Sequence, residues 1–252
     1  MNLPHFPIGR LSPRLVEVWG VSLPHVRDHL EALQVLLSRE ESRRAARFVF
    51  EQDRQRFVLT HGILRILLGQ YLNQDPAGVT FRYGEYGKPL LNAHENGSES
   101  LCFNVSHSGD YCLCAFAMRR EVGVDIEVMR SDVEYLDLAE RFFAGREYED
   151  LRQAPKENRR ALFYRYWTCK EAYLKARGLG LSSGLKRIEL SFGADGLISL
   201  SDKEDDIGSR DARWAIKEVR FGQEVAAAIA AQGTDWEVSV SHYAPPRREA
   251  GY

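Results

Sequence analysis

The chain has 252 residues, with 34 Lys and Arg against 36 Asp and Glu and a formal net charge of -2. That near-balance, with a pI of about 6.4, excludes a protein that works by neutralising a nucleic-acid backbone, and the length suffices for one large core or two small ones. The N-terminus shows no basic segment leading into a long apolar core, and no apolar run approaches membrane-spanning length. The four cysteines, Cys102, Cys112, Cys114 and Cys169, form neither a metal-ligand spacing nor a disulfide framework. A globular protein of the reducing cytoplasm is expected.

In chain order, alternation predicts a strand over 15–21 and helical spacing predicts a helix over 25–37. Ser38 reads as the N-cap of a basic helix over 40–47, and a long helix runs through Phe57, Ile63, Leu67 and Tyr71 until Asp75-Pro76 stops it. Strands follow over 79–83, 101–105 and 111–118, with a polar loop at 92–100. The second half opens with a strand over 121–128, then helices over 133–143, 147–153 and 157–177, the last closed by Gly178. Strands are expected over 187–192, 196–200, 213–219, 224–230 and 236–241, a charged loop over 201–211, and a mobile tail over 244–252. Residues 103–118 and 219–230 each place a polar turn before an apolar, small-residue strand, a weak sign of an internal repeat.

Residues 122–128, Val-Gly-Val-Asp-Ile-Glu-Val, alternate as a strand, so Asp125 and Glu127 leave the same face. In the helix over 157–177, Glu171 and Lys175 are four apart and also share a face. Two carboxylates roughly 4 Å apart repel by about 4 kcal/mol at the effective dielectric of a protein surface, a cost that a cation between them removes. All the nearby donors are oxygens and no His or Cys stands at zinc spacing, which selects magnesium. Magnesium is held by one or two carboxylates plus substrate phosphates, so Asp125, Glu127 and Glu171 are candidate ligands and a phosphate-bearing substrate comes with them. Taken singly, the motifs have plainer readings, a capped strand end and an exposed ion pair worth roughly 0.2–0.5 kcal/mol; together they favour the metal site.

The two motifs resemble the signature of the 4'-phosphopantetheinyl transferases: apolar-Gly-apolar-Asp at Val122 to Asp125, and aromatic-small-x-Lys-Glu-small-x-x-Lys at Trp167 to Lys175. Gly84-Glu85-Tyr86-Gly87-Lys88-Pro89, Phe103-Asn104-Val105-Ser106-His107-Ser108-Gly109, and Arg141-Phe142-Phe143 with Glu147-Tyr148 extend the resemblance to the monomeric, surfactin-synthetase-activating branch. The resemblance implies an α+β protein of two similar α/β halves related by a pseudo-twofold axis, with a ligand cleft between them. Its halves are 1–120, with the coenzyme A adenine and phosphate contacts, and 121–252, with the metal site and the catalytic helix. It further implies transfer of the 4'-phosphopantetheine arm of coenzyme A to a serine of apo acyl or peptidyl carrier proteins, releasing 3',5'-adenosine bisphosphate, in a cytoplasmic monomer that uses Mg2+.

Ser106 to Gly109 offers hydroxyls, an imidazole and backbone N–H groups to a phosphate; the resemblance makes Ser106 and His107 pyrophosphate contacts, whereas alone the block reads as a turn. The resemblance puts Lys88 and Pro89 beside adenine and ribose, where a simple hairpin turn is the alternative. It puts Arg44 and Arg56 at the 3'-phosphate, in a region crowded by Arg39, Arg43, Arg47 and Arg54, with Glu41 standing where relatives often carry a cation. Lys175 and Lys170 would bind the phosphate that is attacked. Glu147 matches the family's candidate base and reads equally well as a first-turn residue stabilised by the helix dipole. The helix over 133–143 carries two apolar stripes, Tyr135/Leu138/Phe142 and Leu136/Ala139/Phe143, where one would anchor it; either a carrier docks there or both stripes are buried. Two other classes fit parts of the pattern: a non-catalytic binder of coenzyme A or carriers, and a Mg-dependent nuclease, which would lack its basic, aromatic-interleaved stripe.

Overall fold

The computed structural model describes residues 4, 6–92, 100–180, 184–203 and 213–243. The expected tail at 244–252 and most of the loops expected at 92–100 and 201–211 lie outside the described residues. The first half forms β1 (Leu15–Ser22), α1 (Leu30–Gln34), α2 (Arg39–Ala45), α3 (Glu51–Leu72), β2 (Phe81–Tyr83), β3 (Pro89–Leu91), β4 (Leu101–Ser108) and β5 (Tyr111–Met118). The second forms β6 (Val122–Val128), α4 (Tyr135–Phe142), α5 (Gly145–Gln153), α6 (Lys156–Arg177), β7 (Ile188–Phe192), β8 (Ile198–Asp202), β9 (Trp214–Glu218), β10 (Val225–Gln232) and β11 (Glu237–His242). The helix expected over 25–37 opens instead as a 3-10 segment, Leu23–His29, with Pro24 in its first turn, and only its end is α-helical. The short strand β3, paired with β2, is absent from the sequence reading, and Ser201 and Asp202 belong to β8 rather than to a loop.

Two sheets repeat one connectivity, as the expected α+β class with similar halves requires. In each, the opening strand (β1 or β6) pairs antiparallel with the third (β5 or β10), which pairs antiparallel with the second (β4 or β9). A 22-residue helix, α3 or α6, stands between first and second strands in each half. Period-two alternation gives both sheets two apolar faces. Val16, Val18, Leu113 and Ala115 meet Val122, Val124, Ile126 and Ile229 in a core between the sheets. On the outer faces, Trp19, Cys114 and Phe116 pack with α3 residues, and Ala228 and Ala230 with α6 residues. The layers therefore run helix, sheet, sheet, helix. A division at 120 separates the sheets except for β11, which leaves the second half and pairs in parallel with β1.

At the other end of the first sheet, β4 lies beside β6, though the strands belong to different sheets. Side chains of β4 bridge them: Asn104 Oδ1 accepts from Val124 N at 2.9 Å, Ser108 Oγ accepts from Val128 N at 3.1 Å, and Ser106 Oγ donates to Asp125 Oδ1 at 3.0 Å. Positions 104, 106 and 108 alternate along the strand, so one edge supplies all three.

Candidate active site

Because β6 turns Val122, Val124 and Ile126 into the core between sheets, Gly123, Asp125 and Glu127 face α6. A Cβ on Gly123 would overlap Ala172 O and Ala176 N; glycine is what lets helix and strand backbones touch there. Two turns of α6 then carry Glu171 and Lys175 over the strand. Lys175 Nζ lies 2.5 Å from Asp125 Oδ1 and donates to Ser106 Oγ at 2.8 Å. Ser108 donates to Glu127 Oε2 at 2.7 Å. Asp125, Glu127, Glu171, Lys175 and Ser106, all named from the sequence, thus gather at the seam between the halves.

The seam is mostly buried and rich in acidic groups. Burial, then the charges of Asp125 and Glu127 against that of Lys175, push Glu171 up to about 7. Burial also raises Asp125, against the pull of Lys175 and Ser106, and burial followed by Asp125 raises Glu127. Asp125 Oδ2 and Glu171 Oε1 are buried without a hydrogen-bond partner, which calls for a further positive or donating group. An all-oxygen set with orphaned anionic atoms fits a hard divalent cation. Among the described residues, however, no three or more His, Cys, Asp or Glu are drawn together as a formed metal site.

Cationic groups lead away from the seam. His107 is exposed at the end of β4. Crowding by protein, then the charges of Lys175, His61, Arg56 and Arg44, hold its imidazole below the usual value. The guanidinium of Arg44 sits 5.3 Å over the Phe57 ring, and Arg43, Arg44, Arg47, Tyr83 and Gly87 help line a cavity of about 530 Å³. Arg56 is tied to Asp110 at 2.9 Å and to Asp53 at 3.5 Å. A larger cavity, about 1240 Å³, lies among α6, β8 and β9 and contains none of the residues named for the site.

Three residues do not sit where the sequence put them. Glu147 and Lys170 belong together: each is 0% exposed and they form an ion pair with each other. Glu147 also accepts from Ala144 N at 2.9 Å and Leu190 N at 2.8 Å, and Lys170 donates to Leu185 O at 3.0 Å and Ile188 O at 2.7 Å. In this arrangement both groups are directed at protein partners. Helix geometry explains it, since Lys170 lies about 100° around the axis from Glu171 and only one of the two can face β6. Lys88 also faces protein, donating to Glu121, Val122 O and Ala176 O; Pro89 begins β3 and is half-buried.

Other groups escaped the sequence reading. Ser108 and Asn104 were quoted only as parts of a block, and nothing in a strand's polarity pattern reveals that its side chains join two sheets. Glu41 is 1% exposed and belongs to an inner network, although it also lines the cavity shared by Arg43, Arg44 and Arg47. It closes a capping box with Ser38, binds Arg65 at 2.7 Å and His61 at 3.0 Å, and is held at about 2 because these partners outweigh its burial. The Ser38-x-x-Glu41 spacing was the available signal.

The 4'-phosphopantetheinyl transferase superfamily profile matches residues 121–230, and the profile of the 4'-phosphopantetheinyl transferase N-terminal region matches 23–119. The chain is 39% identical over 242 residues to the 4'-phosphopantetheinyl transferase HetI of Nostoc sp., covering 96% of this chain and 98% of that one. The chain belongs to the 4'-phosphopantetheinyl transferase superfamily. Within it the chain is of the Sfp-like type: it is 30% identical over 191 residues to the 4'-phosphopantetheinyl transferase Sfp of Bacillus subtilis, covering 73% and 80% of the two chains. A holo-(acyl-carrier-protein) synthase from Bacillus anthracis, solved in complex with CoA (3',5'-ADP), superposes on 44% of this chain and 94% of its own, at TM-score 0.38 and 21% identity.

Proposed function

We propose that this chain transfers the 4'-phosphopantetheine arm of coenzyme A to a serine hydroxyl of an apo acyl or peptidyl carrier protein, releasing 3',5'-adenosine bisphosphate. The observation that carries the reading is the gathering of Lys175, Ser106 and three carboxylates where the two halves meet. In the reaction the serine oxygen bonds to the phosphorus next to pantetheine, and the bond from that phosphorus to the oxygen bridging to the 5'-phosphate breaks. Lys175 holds the attacked phosphate and His107 the pyrophosphate, while Arg44 and Arg56 take the 3'-phosphate and Pro89 borders the adenine. With Glu147 engaged by Lys170, Glu171 is the seam carboxylate one helical turn from Lys175 that would accept the serine proton. Mg2+ held by Asp125, Glu127 and Glu171 would neutralise charge on the pyrophosphate.

Site residues come from both halves of a single chain, Ser106 and His107 from the first and Asp125 and Lys175 from the second, which supports a monomer. All four cysteines are free, and among the described residues no helix is long and apolar enough to cross a membrane; both agree with action in the cytoplasm. Intact-mass spectrometry of a panel of apo carriers, incubated with coenzyme A and Mg2+, tests the reading. A gain of one phosphopantetheine group on a carrier serine is expected. Coenzyme A bound with no carrier modified would leave only a binder, and nicking of DNA by the same preparation would favour a nuclease.

A further inference from the structure

The ammonium of Lys88 has all of its hydrogen-bonding capacity directed into protein. Its side chain is 8% exposed, and its Nζ donates to Glu121 Oε2 at 2.9 Å, Ala176 O at 2.8 Å and Val122 O at 3.4 Å. An ammonium has three N–H donors, so none is left for a ligand. The acceptors are informative. The last carbonyls of a helix have no partner within it; at the end of α6, Leu179 N takes Leu174 O, Gly178 N takes Lys175 O, and Lys88 takes Ala176 O. Val122 opens β6, and Gly123 beside it lies so near the α6 backbone that a Cβ would overlap it. One side chain from the β2–β3 turn of the first half therefore grips the end of the helix next to Lys175 and the start of the strand that carries Asp125.

We propose that Lys88 is a positioning residue for the transfer reaction: it fixes the crossing of α6 over β6, and so the place of Lys175, without contacting coenzyme A. The inference rests on the proposed function for its kinetic consequence, while its geometric content stands apart. Arginine would keep the charge but not three diverging donors, because its guanidinium is a planar fork. A positioning role therefore distinguishes Lys from Arg, whereas a plain phosphate or nucleotide contact would tolerate either.

The test uses the full-length enzyme with the variants Lys88→Met and Lys88→Arg. Both should lower kcat at saturating coenzyme A roughly 10- to 100-fold, the scale expected for a misplacement of about 1 Å. Dissociation constants for coenzyme A, from calorimetry, should stay within about twofold of wild type, as expected when a transition-state rather than a ground-state interaction is lost. Added to Lys175→Met, Lys88→Met should cost less than about threefold more, because both changes remove one shared contribution. Amide exchange at 172–177 should quicken in both variants. A raised dissociation constant with normal kcat, a lower melting temperature with normal kcat well below it, or additive losses with Lys175→Met would each overturn the proposal. Should wild type modify no carrier, the proposed function falls, and the exchange data then decide alone: unchanged protection at 172–177 overturns the positioning role, and quickened exchange upholds it.

Discussion

An ionised Glu171 costs the folded chain stability that an amide would not, and its sign can be worked out. Its folded value of about 7 lies above the ordinary 4.5, so between these limits the folded chain binds more protons than the unfolded chain and stability falls as pH rises. Without added divalent cation, Glu171→Gln should melt above wild type at about pH 8, with the gain shrinking as pH is lowered toward 4.5. Calorimetric melts at both ends check this; an equal or lower melting temperature at the upper end would refute it. Glu147 and Lys170 give the opposite signature. Removing one partner of a sealed pair leaves a buried charge and costs about 3–5 kcal/mol, so Glu147→Gln should lose stability while whatever fraction stays folded keeps most of its kcat. Had Glu147 been the base, activity would vanish in protein that still melts normally. This pair marks the limit of a motif: Lys170 and Glu171 stand side by side in the signature, and only the turn of the helix says that one faces the site and the other the core.

At the scale of elements, the crossing of α6 over β6 decides whether the site forms. Gly123→Ala places a methyl group against Ala172 O and Ala176 N, both backbone atoms that cannot step aside, and overpacking of this kind costs about 1–3 kcal/mol or more. The variant should melt lower than wild type and transfer phosphopantetheine slowly even when fully folded, measurable by melts and turnover on the same preparation. The strand and helix that meet here were legible because their periods of two and four are local properties of the chain. In α4, Ala139 is buried, as is Phe143 just beyond the helix end, whereas Tyr135, Leu136, Leu138 and Phe142 are half-buried; Phe142 meets Trp167 edge-on at 6.0 Å. The stripes are thus neither fully core nor free. If α4 receives the carrier, Leu136→Asp or Leu138→Asp should raise KM for the carrier and leave coenzyme A affinity unchanged; destabilisation by both, without a change in KM, would place the carrier elsewhere.

For the whole molecule, what the sequence left hidden is non-local. The halves could be read from a faint echo of strands and from the resemblance, but no periodicity says which strand lies beside β1 or that Asn104, Ser106 and Ser108 stitch two sheets. β11 pairs along six residues of β1 and brings Val238 and Val240 against the core between the sheets. Ending the chain at residue 236 should therefore unfold the first half as well as the second. Loss of protection in β1 and β5 by amide exchange would show it, and a truncated chain with a native melting temperature would not be compatible with it.

Leu15 and its partner Glu237 are 222 positions apart in sequence (237 minus 15). At about 5–20 residues per second, a ribosome needs roughly 10–45 s to get from one to the other. Once β5 has been made, at residue 118, the outer edge of β1 still lacks its neighbour for another 119 positions (237 minus 118), or roughly 6–24 s. A nascent chain thus presents a bare strand edge from the completion of β5 until β11 arrives to cover it.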